Sequence, residues 1–143
     1  MRIMISARNQ FVGMVENVKA GAVNGVVTIK SGNEEIKADI TMESINQLGL
    51  KEGVEAAAVV KATSVMFASG SEPISNLSAR NQFAGIVSNV REGAVNGHIT
   101  LSLPDGNQIT GSITNEAIEE LELTEGVPAI AIIKSTDVMV ATF

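Results

Sequence analysis

This chain of 143 residues is written twice, and that repetition limits its fold more than any other feature. "SARNQFVGMVENVKAGAVNGVVTI", beginning at Ser6, aligns without a gap with "SARNQFAGIVSNVREGAVNGHITL", beginning at Ser78, at an offset of 72 residues. Further on, "ITMESINQLGLKEGVEAAAVVKATSVMFA" aligns with "ITNEAIEELELTEGVPAIAIIKSTDVMVA", where Lys61 meets Lys134 at an offset of 73. The added residue falls in "LPDG" against "SG", a turn sequence in which an insertion costs little. The chain therefore divides into a unit at residues 1–68, a small polar linker at Ser69–Pro73 and a unit at 74–143.

Local patterns inside one unit predict short strands. "FVGMVENV" alternates with period two, as a strand does. "VNGVVTI" carries Asn24-Gly25, a pair that favours a type I′ hairpin turn. A turn at Gly32-Asn33 separates two more strands, the second being "EIKADI". Thr41 is placed to cap a short helix, "MESINQLG", with Ile45 and Leu48 on one face and Gly49 as its stop. "EAAAVVKA" and "SVMFA" complete the unit after a turn at Gly53. The order β-β-β-α-β-β predicts an all-β protein of two tandem OB-like five-stranded β-barrel domains, each with one short helix. A unit of that size buries too little to be comfortable alone. The late runs "AAAVV" and "AIAII" are apolar on both faces, so the units are expected to pack on each other and on further chains.

Composition then removes whole classes of function. A net charge of −6 with four Phe and no Tyr or Trp suits neither a nucleic-acid groove nor an anionic membrane. No apolar run approaches the roughly 20 residues of a bilayer span, and "MRIMISARNQF" does not resemble a secretory leader. The absence of Cys removes disulfides, thiolate chemistry and cysteine metal sites, which suits the cytoplasm. The single histidine, His98, corresponds to Val26 in the first copy and reads as a strand-face residue, not a catalytic one. The pairs Glu34-Glu35 and Glu119-Glu120 do not align with each other, and no serine has a base beside it, so no enzyme is expected.

A different polar set does recur. Ser6 and Ser78, Arg8 and Arg80, Asn9 and Asn81, and Lys61 and Lys134 match pairwise. Ser6 and Arg8 lie two apart, on one side of an extended chain. Lys61 follows five apolar residues. All of these groups donate hydrogen bonds, and Arg and Lys donate only, as an oxyanion site requires. From residue types alone a second reading stays open, in which Arg8 pairs with an acid across an interface and Lys61 guards a strand edge.

The motif "SARNQFxGxVxxVxxGAVNGxVxI", followed by "ITxES" and a lysine after an apolar strand, resembles the molbindin, or Mop-domain (TOBE-type), family over nearly the whole chain, twice. A bare tandem pair is similar to the di-Mop members of that family. The resemblance implies an OB-like barrel that binds molybdate, and tungstate, at interfaces between domains or subunits, for intracellular molybdenum storage or homeostasis. It also implies assembly of a tandem chain as a homotrimer, without nucleic-acid or membrane partners. By position, the family's ligands fall on Ser6, Arg8, Ser44, Lys61 and Ala62 in the first copy, and on Ser78, Arg80, Lys134 and Ser135 in the second, with Asn9 and Asn81 beside them. Ala117 replaces Ser44 and Ser135 replaces Ala62, so the resemblance implies unequal sites. The alternatives are an OB-type nucleic-acid binder and a purely structural oligomer.

Overall fold

A computed structural model describes residues 4–143; residues 1–3, where the first unit was placed to begin, lie outside the described part. The first repeat forms β1 (Asn9–Lys19), β2 (Asn24–Ser31), β3 (Glu34–Thr41), helix α1 (Met42–Gln47), β4 (Glu55–Val60) and β5 (Met66–Ser69). The second forms β6 (Asn81–Glu92), β7 (Asn96–Ser102), β8 (Gln108–Thr114), helix α2 (Asn115–Glu120), β9 (Pro128–Ile133) and β10 (Met139–Ala141). A single 3-10 turn, Ala62–Ser64 or Ser135–Asp137, precedes each last strand.

The element order matches the sequence reading, and the fold is two curled five-stranded antiparallel sheets. Their composition differs from it in one respect. The sheets run β10-β4-β1-β2-β3 and β5-β9-β6-β7-β8, so each repeat gives its last strand to the other. Phe67 of β5 pairs with Ala131, and Val140 of β10 pairs with Ala58. Repeats of sequence and sheets of structure therefore part company after β4 and after β9. One continuous apolar core results, running from Phe11, Ile29 and Ile36 through Phe67 to Leu101, Ile109 and Ile133. Pooling two small cores into one raises the fraction of surface each repeat buries.

The exchanged strands are fitted to their hosts. A Cβ on Gly111 of β8 would collide with the ring of Phe67. The matching positions in the other sheet carry Ala38 and Val140, a larger floor under a smaller guest. Returned to its own sheet, Phe67 would meet the extra methyl of Ala38, while Val140 over Gly111 would leave a void.

Asn24-Gly25 does not form the expected turn. Both residues open β2, where they pair with Thr41 and Ile40, and neither has a positive φ. Gly25 is needed for a different reason: α1 packs on it, and a Cβ there would lie 2.7 Å from Ile45 Cδ1. Helix α1 is capped as expected, with Thr41 Oγ1 accepting from Ser44 N at 3.1 Å, and Gly49 follows it with φ +64°.

Candidate functional site

The seam between the sheets is held by the two recurring asparagines. Asn9 is 2% exposed and acts as a surrogate strand: its Oδ1 accepts from Thr110 N at 2.8 Å, and its Nδ2 donates to Thr110 O at 2.8 Å and Val60 O at 3.3 Å. Asn81, 1% exposed, does the same across the other seam, bonding Lys37 N and Lys37 O at 2.8 Å each. Their side-chain amides are engaged by the opposite repeat, so their part in any anion site is to align the walls.

This clamp brings the segment before β1 against β7 and β8. A surface cavity of about 250 Å³ opens there, lined by Ser6, Ala7, Arg8, Lys61, Ala62 and Thr63 from the first repeat and by His98 and Ser112 from the second. Of the predicted residues, Ser6, Arg8, Lys61 and Ala62 thus converge. Arg8 and Lys61 are exposed, Ala62 and His98 are half-buried, and no carboxylate is among the lining residues. The 3-10 turn after Lys61 packs against β8, which places the Ala62 backbone at the cavity.

The other seam is built on the same plan with different residues. Its cavity, about 230 Å³, is lined by Arg80 with Lys19, Ala20, Gly21, Asn24, Gly25, Val26 and Asp39. Val26 stands where the first seam has His98, and Asp39 where it has Ser112. Asn24 Nδ2 donates to Asp39 Oδ1 at 3.1 Å. Ser78, Lys134 and Ser135 do not line this cavity; Lys134 is exposed and Ser135 is 9% exposed in the 3-10 turn that packs against β3. Ser44 lines neither cavity, and its hydroxyl accepts from Thr41 Oγ1 at 2.9 Å within the helix cap.

Ala7, Thr63, His98 and Ser112 line the cavity beyond the residues expected from the sequence, and the two from the second repeat, His98 and Ser112, add polar groups to it. The mismatches between copies, His98 with Val26 and Ser112 with Asp39, were the available signal. Charge perturbation lies elsewhere, at the β2–β3 and β7–β8 hairpin tips and at Glu16 within β1. Partial burial pulls the Asp105 carboxyl up, but Asn107 N and Asn33 N, 3.0 and 2.9 Å away, outweigh it and hold Asp105 below the ordinary carboxylate value. Burial, with Asp105 nearby, raises Glu34. A shared hydrogen bond with Glu35 is the main cause of the raised Glu16.

The TOBE-domain family model matches residues 5–67 and again 77–140. The chain belongs to the TOBE-domain family. It is 42% identical over 142 residues to the molybdenum transport protein ModE of Herbaspirillum seropedicae, covering 99% of this chain and 52% of that protein. It is 39% identical over 137 residues to the molybdenum-pterin-binding protein MopA of Rhodobacter capsulatus, covering 95% of this chain and 51% of that one. The chain thus spans about half the length of these relatives. A crystal structure of the cytoplasmic molybdate-binding protein ModG, with molybdate bound, superposes with a TM-score of 0.93 at 42% identity, covering 99% of this chain and all of the other. Among the described residues no group of three or more acidic or histidine side chains could hold a metal ion, and no helix is long and apolar enough to cross a membrane.

Proposed function

We propose that this chain binds molybdate, and tungstate with it, as a cytoplasmic store or buffer of the metal oxide, with no catalytic role. One observation carries the reading: Arg8, Lys61, Ser6 and Ser112 meet in one cavity that no carboxylate lines. Molybdate near neutral pH is a dianion with four acceptor oxygens and no proton. A wall of donors matches every oxygen. Four oxygens fill the space of roughly four waters, about 120 Å³, which the cavity accommodates. Hydrogen phosphate would bring an O–H that Arg8 and Lys61 cannot accept and that only a hydroxyl such as Ser6 or Ser112 could receive, so it matches the cationic part of the wall less well than molybdate does. Sulfate lacks that proton and is disfavoured by size, since walls set for longer metal–oxygen bonds hold it loosely.

Self-association, with a homotrimer as its form, belongs to the same proposal. Large exposed apolar side chains recur in register in both repeats: Ile5 with Leu77, Met14 with Ile86, Val23 with Val95, and Met66 with Met139. Surface apolar groups repeated in this way suit a symmetric interface. Exposed Arg8 and Lys61 would lose solvent when such a neighbour covers them, strengthening their hold on an anion.

Titration calorimetry with molybdate, sulfate and phosphate, paired with native mass spectrometry, tests this. Heat with molybdate well above that with sulfate or phosphate, on a trimeric species, is expected. Retarded single-stranded DNA without molybdate heat would favour a nucleic-acid binder; the absence of any ligand would favour a purely structural oligomer.

A further inference from the structure

Histidine sits on only one of the two seams, and it sits where the cations converge. His98 lies on β7, half-buried, and lines the cavity with Ser6, Arg8, Lys61, Ala62 and Ser112. Arg8 comes from the segment before β1, Lys61 from the end of β4, and Arg91 stands opposite His98 on β6. Strand β8 presents neutral Ser112 as its cross-strand partner. No carboxylate lines the cavity to pair with an imidazolium, and the charged side chains around it, Arg8, Lys61 and Arg91, are all cationic. A bound dianion reverses that balance, because it is the one anionic partner to which the protonated ring can donate.

We propose that His98, when protonated, is a ligand that tightens oxyanion binding at the first seam, so that binding strengthens between about pH 8 and about pH 6. The inference rests on the oxyanion reading above. Its consequence is a coupling: each anion held at low pH brings a proton with it, and each proton lost loosens the anion. The ligand itself is silent in this window, since molybdate keeps its double charge across it. Lysine and arginine as classes titrate well above it. Val26 at the equivalent position denies the second seam any such response.

The test is calorimetry of the full chain with sodium molybdate at about pH 6 and about pH 8, either side of the usual histidine value of ~6.5. Native mass spectrometry of the same samples monitors assembly. The unaltered chain should bind about fivefold tighter at the lower pH, the size of one exposed charge contact. His98→Val, which copies the first repeat, should abolish that ratio. His98→Lys should also abolish it while binding tightly at both values. A fivefold ratio that persists in His98→Val, or a flat response in a chain that binds molybdate well, overturns the role of His98. Failure of the unaltered chain to bind at either pH overturns the oxyanion reading as well, so the two failures are distinguishable. A shift in oligomer size with pH that tracks affinity in all three proteins would also refute the proposal.

Discussion

At the first seam Arg8 faces Ser112 across a cavity; at the second Arg80 shares its cavity with Asp39. The backbones are near copies, with the same asparagine clamp and the same 3-10 turn packed on the opposite β3 or β8. One carboxylate halves the net positive charge of the wall, from two to one. The first cavity holds two fixed cations and no acid, whereas the second holds Lys19 and Arg80 against one carboxylate. Duplicating a fold does not duplicate a site, because the strand geometry comes from the apolar pattern and the chemistry comes from the few polar residues that the pattern leaves free.

The largest test of that difference is removal of the arginines one at a time. Arg8→Ala should weaken molybdate binding about a hundredfold, the equivalent of two charge-assisted hydrogen bonds of roughly 1.5 kcal/mol each. Arg80→Ala should leave the calorimetric titration nearly unchanged, and Asp39→Ser should add a second class of site to it. Equal losses from the two alanine variants would erase the comparison.

The asparagines should behave alike, which sharpens the contrast. Asn9→Ala and Asn81→Ala each strip a strand edge of partners, so each should cost about 2 kcal/mol in denaturant unfolding. A large inequality between them would mean that the seams differ in architecture as well as charge. Gly111→Ala should cost about 1–2 kcal/mol by pressing on Phe67, whereas Ala38→Gly should cost about 1 kcal/mol by loosening Val140 and freeing the backbone.

The smallest effect concerns the hairpin tips. Because the folded Asp105 carboxyl lies below its usual value, its stabilisation is present above ~3.9 and disappears as the pH falls through the folded value. The Tm difference between the unaltered chain and Asp105→Asn should therefore be measurable at pH 7 and shrink steadily as the pH is taken below ~3.9. Being mostly solvent-exposed, it should amount to less than about 1 kcal/mol.

Most of this fold is legible in the residues. Alternation located the strands, Thr41 marked the start of α1, and Gly49, Gly53 and Gly32 adopt the positive φ their positions required. The exchange of β5 and β10 is not legible locally, because "SVMFA" can pair equally well with "EAAAVV" or "PAIAII". Only the distant fit of Phe67 to Gly111 separates those choices. Asn24-Gly25 misled because a pair suited to a turn also supplies the bare backbone that a helix can rest on. Arg8, Lys61, Ser6 and Ala62 were found because they recur or follow the family motif. His98 and Ser112 do not recur, being Val26 and Asp39 in the first repeat, so the repetition of the sequence carries no signal for them.

The turn that carries the extra residue also ties the two repeats together. Asp105 accepts from Asn33 N at 2.9 Å, and Asn107 Nδ2 donates to Ser31 O at 3.2 Å, so the tip of one repeat clasps the tip of the other. Together with the traded last strands, this makes the chain an interlocked pair in which neither half closes without its twin. Proteolytic nicking between Gly70 and Arg80 should leave two fragments that elute as one particle, and expressing either half by itself should yield a body that seeks a second copy to complete its sheet.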